Sequence, residues 1–270
     1  MSMYKKIIVI GDIRGDSKVL VKSLELANLI KDNKWIGKYT LVIQMGNTLS
    51  GKSPMSPPLS KEYVESSEEI KIVNLISIYE AQAKLHSCKF ISILGKHEFL
   101  SYYHGDDNIF MKQYVKSKDE EIYKKMYNIS RSKFWKPGNE GGKILSKRPL
   151  YILVDKILFT NFNLSTCINE NEINKAKKDV ERWLQTGKNK PDIIQEEIDN
   201  ELLDNKLDYE IIITSNSSNS SNCETDKVKL VKSDSSRAFG ENKSVEILEI
   251  ITEPHFIIKR ITEEKCIIEL

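Results

Sequence analysis

Arginine is scarce in this chain. Of 41 basic residues only Arg14, Arg131, Arg148, Arg182, Arg237 and Arg260 are Arg. With a formal charge of +2 there is no broad positive field, which argues against nucleic acid as a partner. Cysteine is also sparse: Cys88, Cys167, Cys223 and Cys266 stand far apart with no CxxC pair. This spacing indicates neither a zinc site nor a disulfide framework and fits a reducing, cytoplasmic setting. Apolar residues make up 40% of the 270 but nowhere form a run of about 18 that could span a bilayer. Met1 to Lys6 lead directly into strand-like sequence without a signal-peptide pattern. No membrane association is therefore expected. The excess of Lys, Ile and Asn fits an AT-rich genome, such as that of a large DNA virus or a protist, and a viral origin would allow a place within a virion.

What the chain does have is a repeated alternation. Lys6-Ile7-Ile8-Val9-Ile10 is an unbroken apolar run ending in Gly11-Asp12-Ile13-Arg14-Gly15-Asp16, which predicts a strand buried on both faces and a sharp turn at its carboxyl end. Ser17 to Ile30 follows as a helix with Leu20, Leu24 and Ala27 on one stripe and Asp16 placed to cap it. After a turn at 32–37, Thr40 to Met45 is a second buried strand ending in Gly46-Asn47-Thr48-Leu49-Ser50-Gly51. Lys52 to Ser60, with Pro54, Pro57 and Pro58, is a loop. Ser66 and Glu69 form a capping box for a helix with Ile72, Ile76, Tyr79 and Ala83 on one face. Lys89 to Leu94 is a third strand, followed by Gly95-Lys96-His97-Glu98. Strand, turn and helix in alternation imply a largely parallel sheet.

Beyond residue 100 the signals are mixed. Residues 108–135 are helical and Lys-rich, Leu150 to Val154 and Ile157 to Thr160 make a hairpin, and 174–184 and 193–203 are charged amphipathic helices whose charge runs are solvated faces. Glu210 to Ile213 is a strand that breaks into the Ser/Asn-rich loop 214–222. Strands at 227–232, 245–251, 256–261 and 265–270 then suggest a second sheet packed on the first. The expectation is a single α/β domain over 1–270, a two-sheet sandwich with helices outside.

The three glycine turns together carry a resemblance. Gly11-Asp12-Ile13-Arg14-Gly15-Asp16, Gly46-Asn47-Thr48-Leu49-Ser50-Gly51 and Gly95-Lys96-His97-Glu98 resemble the GDxHGD, GDxxDRG and GNHE motifs of calcineurin-like metallophosphoesterases. Trp35-Ile36-Gly37, the helix entry from Tyr63 to Ile72 and Ser236-Arg237-Ala238-Phe239-Gly240 are similar to the Shewanella-like branch of the phosphoprotein-phosphatase group. The likeness runs from about Lys6 to about Ile250. It implies a metallophosphoesterase-type β-sandwich of two mixed sheets flanked by helices, and a site where two divalent metals activate a bridging hydroxide.

The same resemblance implies that this site is degenerate. Asp12 matches the first ligand. Arg14 stands for the first histidine, Asn47 for the bridging aspartate, Lys96 for the ligand asparagine, Asn161 for the histidine of an HGG motif and Ser215 for that of a GHT motif. Ser50 and Gly51 replace the aspartate and arginine of DRG, and His97 keeps the general-acid position as a relict. His86, His104 and His255 fall at no family ligand position. A divalent cation about 4 Å from Arg14 or Lys96 would be repelled by about 8 kcal/mol from each at an effective dielectric of 20. The expected function is that of a catalytically inactive, serine/threonine-phosphatase-like protein without a cofactor, serving as a protein-binding or assembly component. The alternatives are an anion sensor built on Arg14 and Lys96, and a residual metal-dependent phosphatase.

Overall fold

The first strand of the computed structural model, β1 (Lys6–Ile10), explains its own unbroken apolar run. Ile8 and Ile10 pack toward a helical layer and Ile7 and Val9 toward a second sheet. Both faces are covered from Ile7 to Ile10, so these four positions are apolar, while Lys6 at the half-buried start of the strand pairs with Glu249 at 3.0 Å. The structure describes residues 4–49, 68–103, 117–162, 170–191, 209–215, 223–224, 229–232, 245–252, 257–262 and 267–269.

After β1 come α1 (Ser17–Leu26), a small hairpin of β2 (Ile30–Lys31) and β3 (Lys34–Trp35), then β4 (Thr40–Gln44), α2 (Glu69–Leu85), β5 (Lys89–Ser92) and α3 (Lys96–Tyr103). A helical segment follows, with α4 (Ser117–Tyr127), α5 (Arg131–Trp135) and α6 (Glu140–Leu145). The remaining elements are β6 (Tyr151–Val154), β7 (Ile157–Thr160), α7 (Glu170–Thr186), β8 (Ile211–Thr214), β9 (Cys223–Glu224), β10 (Lys229–Lys232), β11 (Glu246–Ile251), β12 (Ile257–Thr262) and β13 (Ile267–Glu269).

The strands form two mixed sheets. One has the order β13-β12-β11-β1-β4-β5, with β1, β4 and β5 parallel and β11 to β13 antiparallel. The other has the order β6-β7-β8-β10-β9. Between them lies a core in which Ile7, Val9, Leu41 and Ile43 meet Ile157, Phe159, Ile213 and Val231. Outside the first sheet, α1 and α2 place Leu20, Leu24, Ile72, Ile76 and Tyr79 on Ile8, Ile10 and Val42. Outside the second, α3 to α7 pack Phe99, Phe134, Trp135, Val180 and Trp183 with Leu158 and Ile212. The result is the expected sandwich with helices on both outer faces.

Two local expectations change. The C-terminal strands do not form a second sheet: β11 pairs with β1, with Ile10 opposite Ile247, so β11 to β13 extend the first sheet and only β9 and β10 join the other. The first helix ends at Leu26 rather than Ile30, because Ile30 opens the hairpin. Asp16 does cap that helix, accepting from the Lys18 amide at 2.8 Å. Glu69 is the first residue of α2, and its expected capping partner Ser66 lies outside the described residues. Glu69 itself is buried, and its carboxylate accepts from Arg131 Nε at 2.8 Å and Nη2 at 2.5 Å and from the Tyr123 hydroxyl at 2.9 Å. The 50–67 loop with Ser66, the 193–203 helix, the 216–222 loop and the 236–240 motif lie outside the described residues.

The Glu69–Arg131 pair ties α2 to α4 and α5, and both partners are 1% exposed. Breaking a buried pair by removing one member leaves the other charge uncompensated. Arg131→Ala should therefore destabilise the protein by about 3–5 kcal/mol, read as a lowered urea midpoint. An unchanged midpoint would mean that Glu69 is hydrated or protonated without cost.

Candidate functional site

Parallel pairing decides where the turns meet. With β1, β4 and β5 in register, Ile10 lies opposite Gln44 and Gln44 opposite Ser92, so the three following turns emerge at one edge of the sheet. In the other sheet β7 and β8 are also parallel and deliver Asn161 and Ser215 to the same place. Open α/β sheets hold ligands at such carboxyl ends. The turns interlock closely. Gly46 has φ +72°, and a Cβ there would lie 2.4 Å from the Gly95 amide nitrogen; one on Gly95 would lie 2.2 Å from that of Asn47. Only glycine fits at either position.

Asp12 is the centre of the cluster and is 2% exposed. Its Oδ2 accepts from Arg14 Nε at 3.1 Å and Nη2 at 3.0 Å, and its Oδ1 accepts from Asn47 Nδ2 at 2.9 Å. Arg14 and Asn47 both adopt left-handed backbone conformations, with φ +46° and +51°. Arg14 is thus folded back onto the strand end it has just left, and its side chain is 6% exposed. Burial pushes the Asp12 carboxyl up, while the Arg14 charge and hydrogen bonds from Ser215, Asn47 and Arg14 pull it back.

The remaining predicted residues close around this pair. The Asn47 Oδ1 accepts from the His97 amide at 2.9 Å, and its Nδ2 also lies 3.4 Å from Ser215 Oγ. Asn161 donates to the Met45 carbonyl, and its Oδ1 accepts from the Ser215 amide at 2.9 Å, Ser215 Oγ at 3.0 Å and Thr214 Oγ1 at 3.2 Å. Lys96 opens α3 beside His97. Asp12, Arg14, Asn47, His97, Asn161 and Ser215 therefore lie in one hydrogen-bonded cluster, while Ser50, Gly51, His104 and His255 lie outside the described residues.

Several supporting groups escaped the sequence reading. Glu98 is 1% exposed, and its carboxylate accepts from the backbone amides of Gly95 (2.7 Å), Asn47 (2.9 Å), Thr48 (2.6 Å) and Leu49 (3.2 Å) and from the Thr48 hydroxyl (2.8 Å). It thus clamps the β4 turn to the β5 turn. Arg148 Nη1 donates to Thr48 Oγ1 at 2.9 Å beside it. Gln44 donates to the carbonyls of Gly46 (2.7 Å) and Gly11 (3.2 Å) and accepts from Ser92 Oγ at 2.5 Å. A polar residue ending an otherwise apolar strand was the available signal for Gln44.

The two-metal site of metallophosphoesterases needs several anionic or imidazole donors converging on open space. The donor set here does not fit it. Asp12 is the one carboxylate among the corresponding positions, and both its oxygens already face protein donors. The amide oxygens of Asn47 and Asn161 are likewise engaged. Among the described residues no group of three or more His, Cys, Asp or Glu is gathered to hold a metal ion.

His97 is pushed down to about 3, first by loss of hydration and then by the Arg14 and Lys96 charges. Its imidazole is thus neutral in the folded protein at neutral pH, with no proton to offer as an acid. The unfolded chain takes up that proton near 6.5, so folding stability falls as pH drops from about 6.5 toward 3. Asp12, raised by burial, contributes with the opposite sign. Comparing His97→Gln with the parent isolates the histidine: the variant should lose up to about 1.4 kcal/mol per pH unit of slope in that window, measured by urea unfolding at stepped pH. Parallel curves would show that His97 titrates normally.

No family model matches the chain. In sequence it is 30% identical over 171 residues to Shewanella-like protein phosphatase 1 of Plasmodium berghei (strain Anka), covering 63% of this chain and 42% of that protein. The chain thus spans less than half the length of that relative. In structure it is similar to a cold-active protein-tyrosine phosphatase from a psychrophilic Shewanella species, with a TM-score of 0.66, 17% identity and coverage of 99% of this chain and 80% of the other. A serine/threonine phosphatase of Saccharomyces cerevisiae aligns with a TM-score of 0.54 at 13% identity, over 93% of this chain and 74% of that one. The motif positions and this sequence relative point the same way: over those 171 residues the chain is similar to a Shewanella-like phosphatase, and its two-sheet sandwich is the fold of the phosphatase neighbours.

Proposed function

We propose that this protein is a phosphatase-fold scaffold without phosphatase chemistry, acting by binding a protein partner or as a component of an assembly. The observation that carries the reading is the Asp12–Arg14 pair. A guanidinium 3.0 Å from the one retained ligand carboxylate supplies, from within the chain, the positive charge that metals supply in the family. Asn47 turns its amide nitrogen toward the same carboxylate, the reverse polarity of a metal ligand. His97 has no proton to give, and no cofactor is required. The anion-sensor reading rests on the closeness of Arg14 and Lys96 to His97. It is the weaker of the two, because an incoming phosphate would have to displace Asp12 from Arg14.

Two assays test this. Purified protein should hydrolyse p-nitrophenyl phosphate and a phosphoserine peptide at no more than background rates, with and without added manganese. Arg14→His should bind no stoichiometric manganese in equilibrium dialysis, because ligand sets act as a unit and Asn47, Lys96, Asn161 and Ser215 remain. Metal-dependent turnover that copurifies with the protein and vanishes in Asp12→Ala would overturn the reading.

A further inference from the structure

The surface away from the Asp12 cluster is the more conspicuous one. At the ends where β1, β4 and β5 begin, about 13–16 Å from the turns across strands of four or five residues, exposed lysines gather from separate segments. Lys5 precedes β1, Lys31 and Lys34 face each other across the hairpin, Lys38 precedes β4, and Lys84 and Lys89 bracket the link from α2 to β5. These pieces are joined. The Lys5 amide donates to the Tyr39 carbonyl at 2.9 Å, the Trp35 amide to Gln82 at 3.0 Å, and the Thr40 amide to Cys88 Sγ at 3.4 Å. Residues 5, 28–39 and 84–89 hold six lysines against Asp32 alone, whereas the rest of the chain is net negative. Glu25, exposed in the last turn of α1, borders this patch, and Glu80 lies further back along α2.

Apolar groups stand among these charges. Leu85 is 84% exposed, Ile36 50% and Tyr39 46%. Tyr39 holds φ +50°, a conformation rare for a bulky side chain, and its ring lies under the Lys5 ammonium at 5.6 Å. Backbone strain of this kind, at a half-exposed aromatic, points to a role for the side chain outside the core.

We propose that this end of the sandwich is the docking surface for the partner protein, and that it takes an acidic segment carrying bulky apolar side chains. Carboxylates would lie between the lysines while the apolar groups cover Leu85, Ile36 and Tyr39. A protein segment fits better than an anionic bilayer because Asp32 projects at the hairpin tip between Lys31 and Lys34. The inference rests on the scaffold reading and names where its partner binds.

The test is fluorescence anisotropy with a short labelled peptide rich in Glu with a central Leu-Phe, run beside a Lys-for-Glu control peptide and vesicles of phosphatidylserine and phosphatidylcholine. The acidic peptide should bind alone, more weakly as salt rises. Lys34→Glu with Lys38→Glu should lower its affinity by about tenfold or more, and Leu85→Ser by about threefold, beyond a pure charge effect. All three positions are exposed, and circular dichroism should be unchanged. Equal binding by the charge-reversed variant, no peptide binding, or binding to the vesicles in its place would overturn the proposal. Failure here with no metal-dependent turnover removes the docking surface and leaves the scaffold reading standing; metal-dependent turnover with intact peptide binding does the reverse.

Discussion

A single buried carboxylate governs the end of this molecule where the turns meet. Asp12 lies at the tip of a strand covered on both faces, so it has little access to water, and an ionised carboxylate in such a place must find a counter-charge within the protein. The chain meets that need two residues later. Arg14 takes a left-handed backbone conformation between Ile13 and Gly15, and its guanidinium turns back onto Asp12. Much of the local geometry follows from this. Asn47, also left-handed, is held by the same carboxylate on one side and the His97 amide on the other, so the β1, β4 and β5 turns share one network.

Two other buried carboxylates are handled differently, and the contrast is informative. Glu69 has a full ion pair with Arg131, supplemented by Tyr123, whose hydroxyl is raised above its ordinary value by burial and by Glu69 itself. Glu98 sits among backbone amides, with Arg148 at one remove through Thr48. One carboxylate joins helices, one joins turns, and Asp12 joins the two sheets through Ser215 and Asn161. Each therefore fixes a different interface, and each is satisfied by contacts specific to that interface.

The strands were legible in the sequence and their partners only in part. The run Ile7 to Ile10, bounded by a glycine turn, reads as a strand covered on both sides, and the glycine turns located Asp12 and Asn47 at strand ends. Membership of β11 in the first sheet was not legible, because alternation identifies a strand but carries no information about a neighbour some 240 residues distant. The roles of Glu69 and Glu98 were hidden for a related reason. An acid near a helix start reads as a cap or a dipole partner, and nothing nearby in sequence announces Arg131 or the amides after Gly46. Position within motifs showed which residues would be gathered. It did not show which hydrogen-bonding face each would present, and that orientation decides how the Asn47 amide meets Asp12.

These features bear on why the turns hold their shape with such a donor set. In a site organised by metals, the ions are the largest local charges and the loops are arranged around them. Here the turn geometry has sources of its own: the Gly46–Gly95 contact that excludes any side chain, the Glu98 clamp on four backbone amides, and Gln44 bracing the Gly11 and Gly46 carbonyls. None of them requires an ion. The Asp12–Arg14 pair then completes the charge balance at the centre, so the edge can be rigid and closed with protein groups alone. On the scaffold reading, that self-sufficiency separates the molecule into two ends with different physics: one neutralised internally, the other carrying exposed lysines available to an acidic surface.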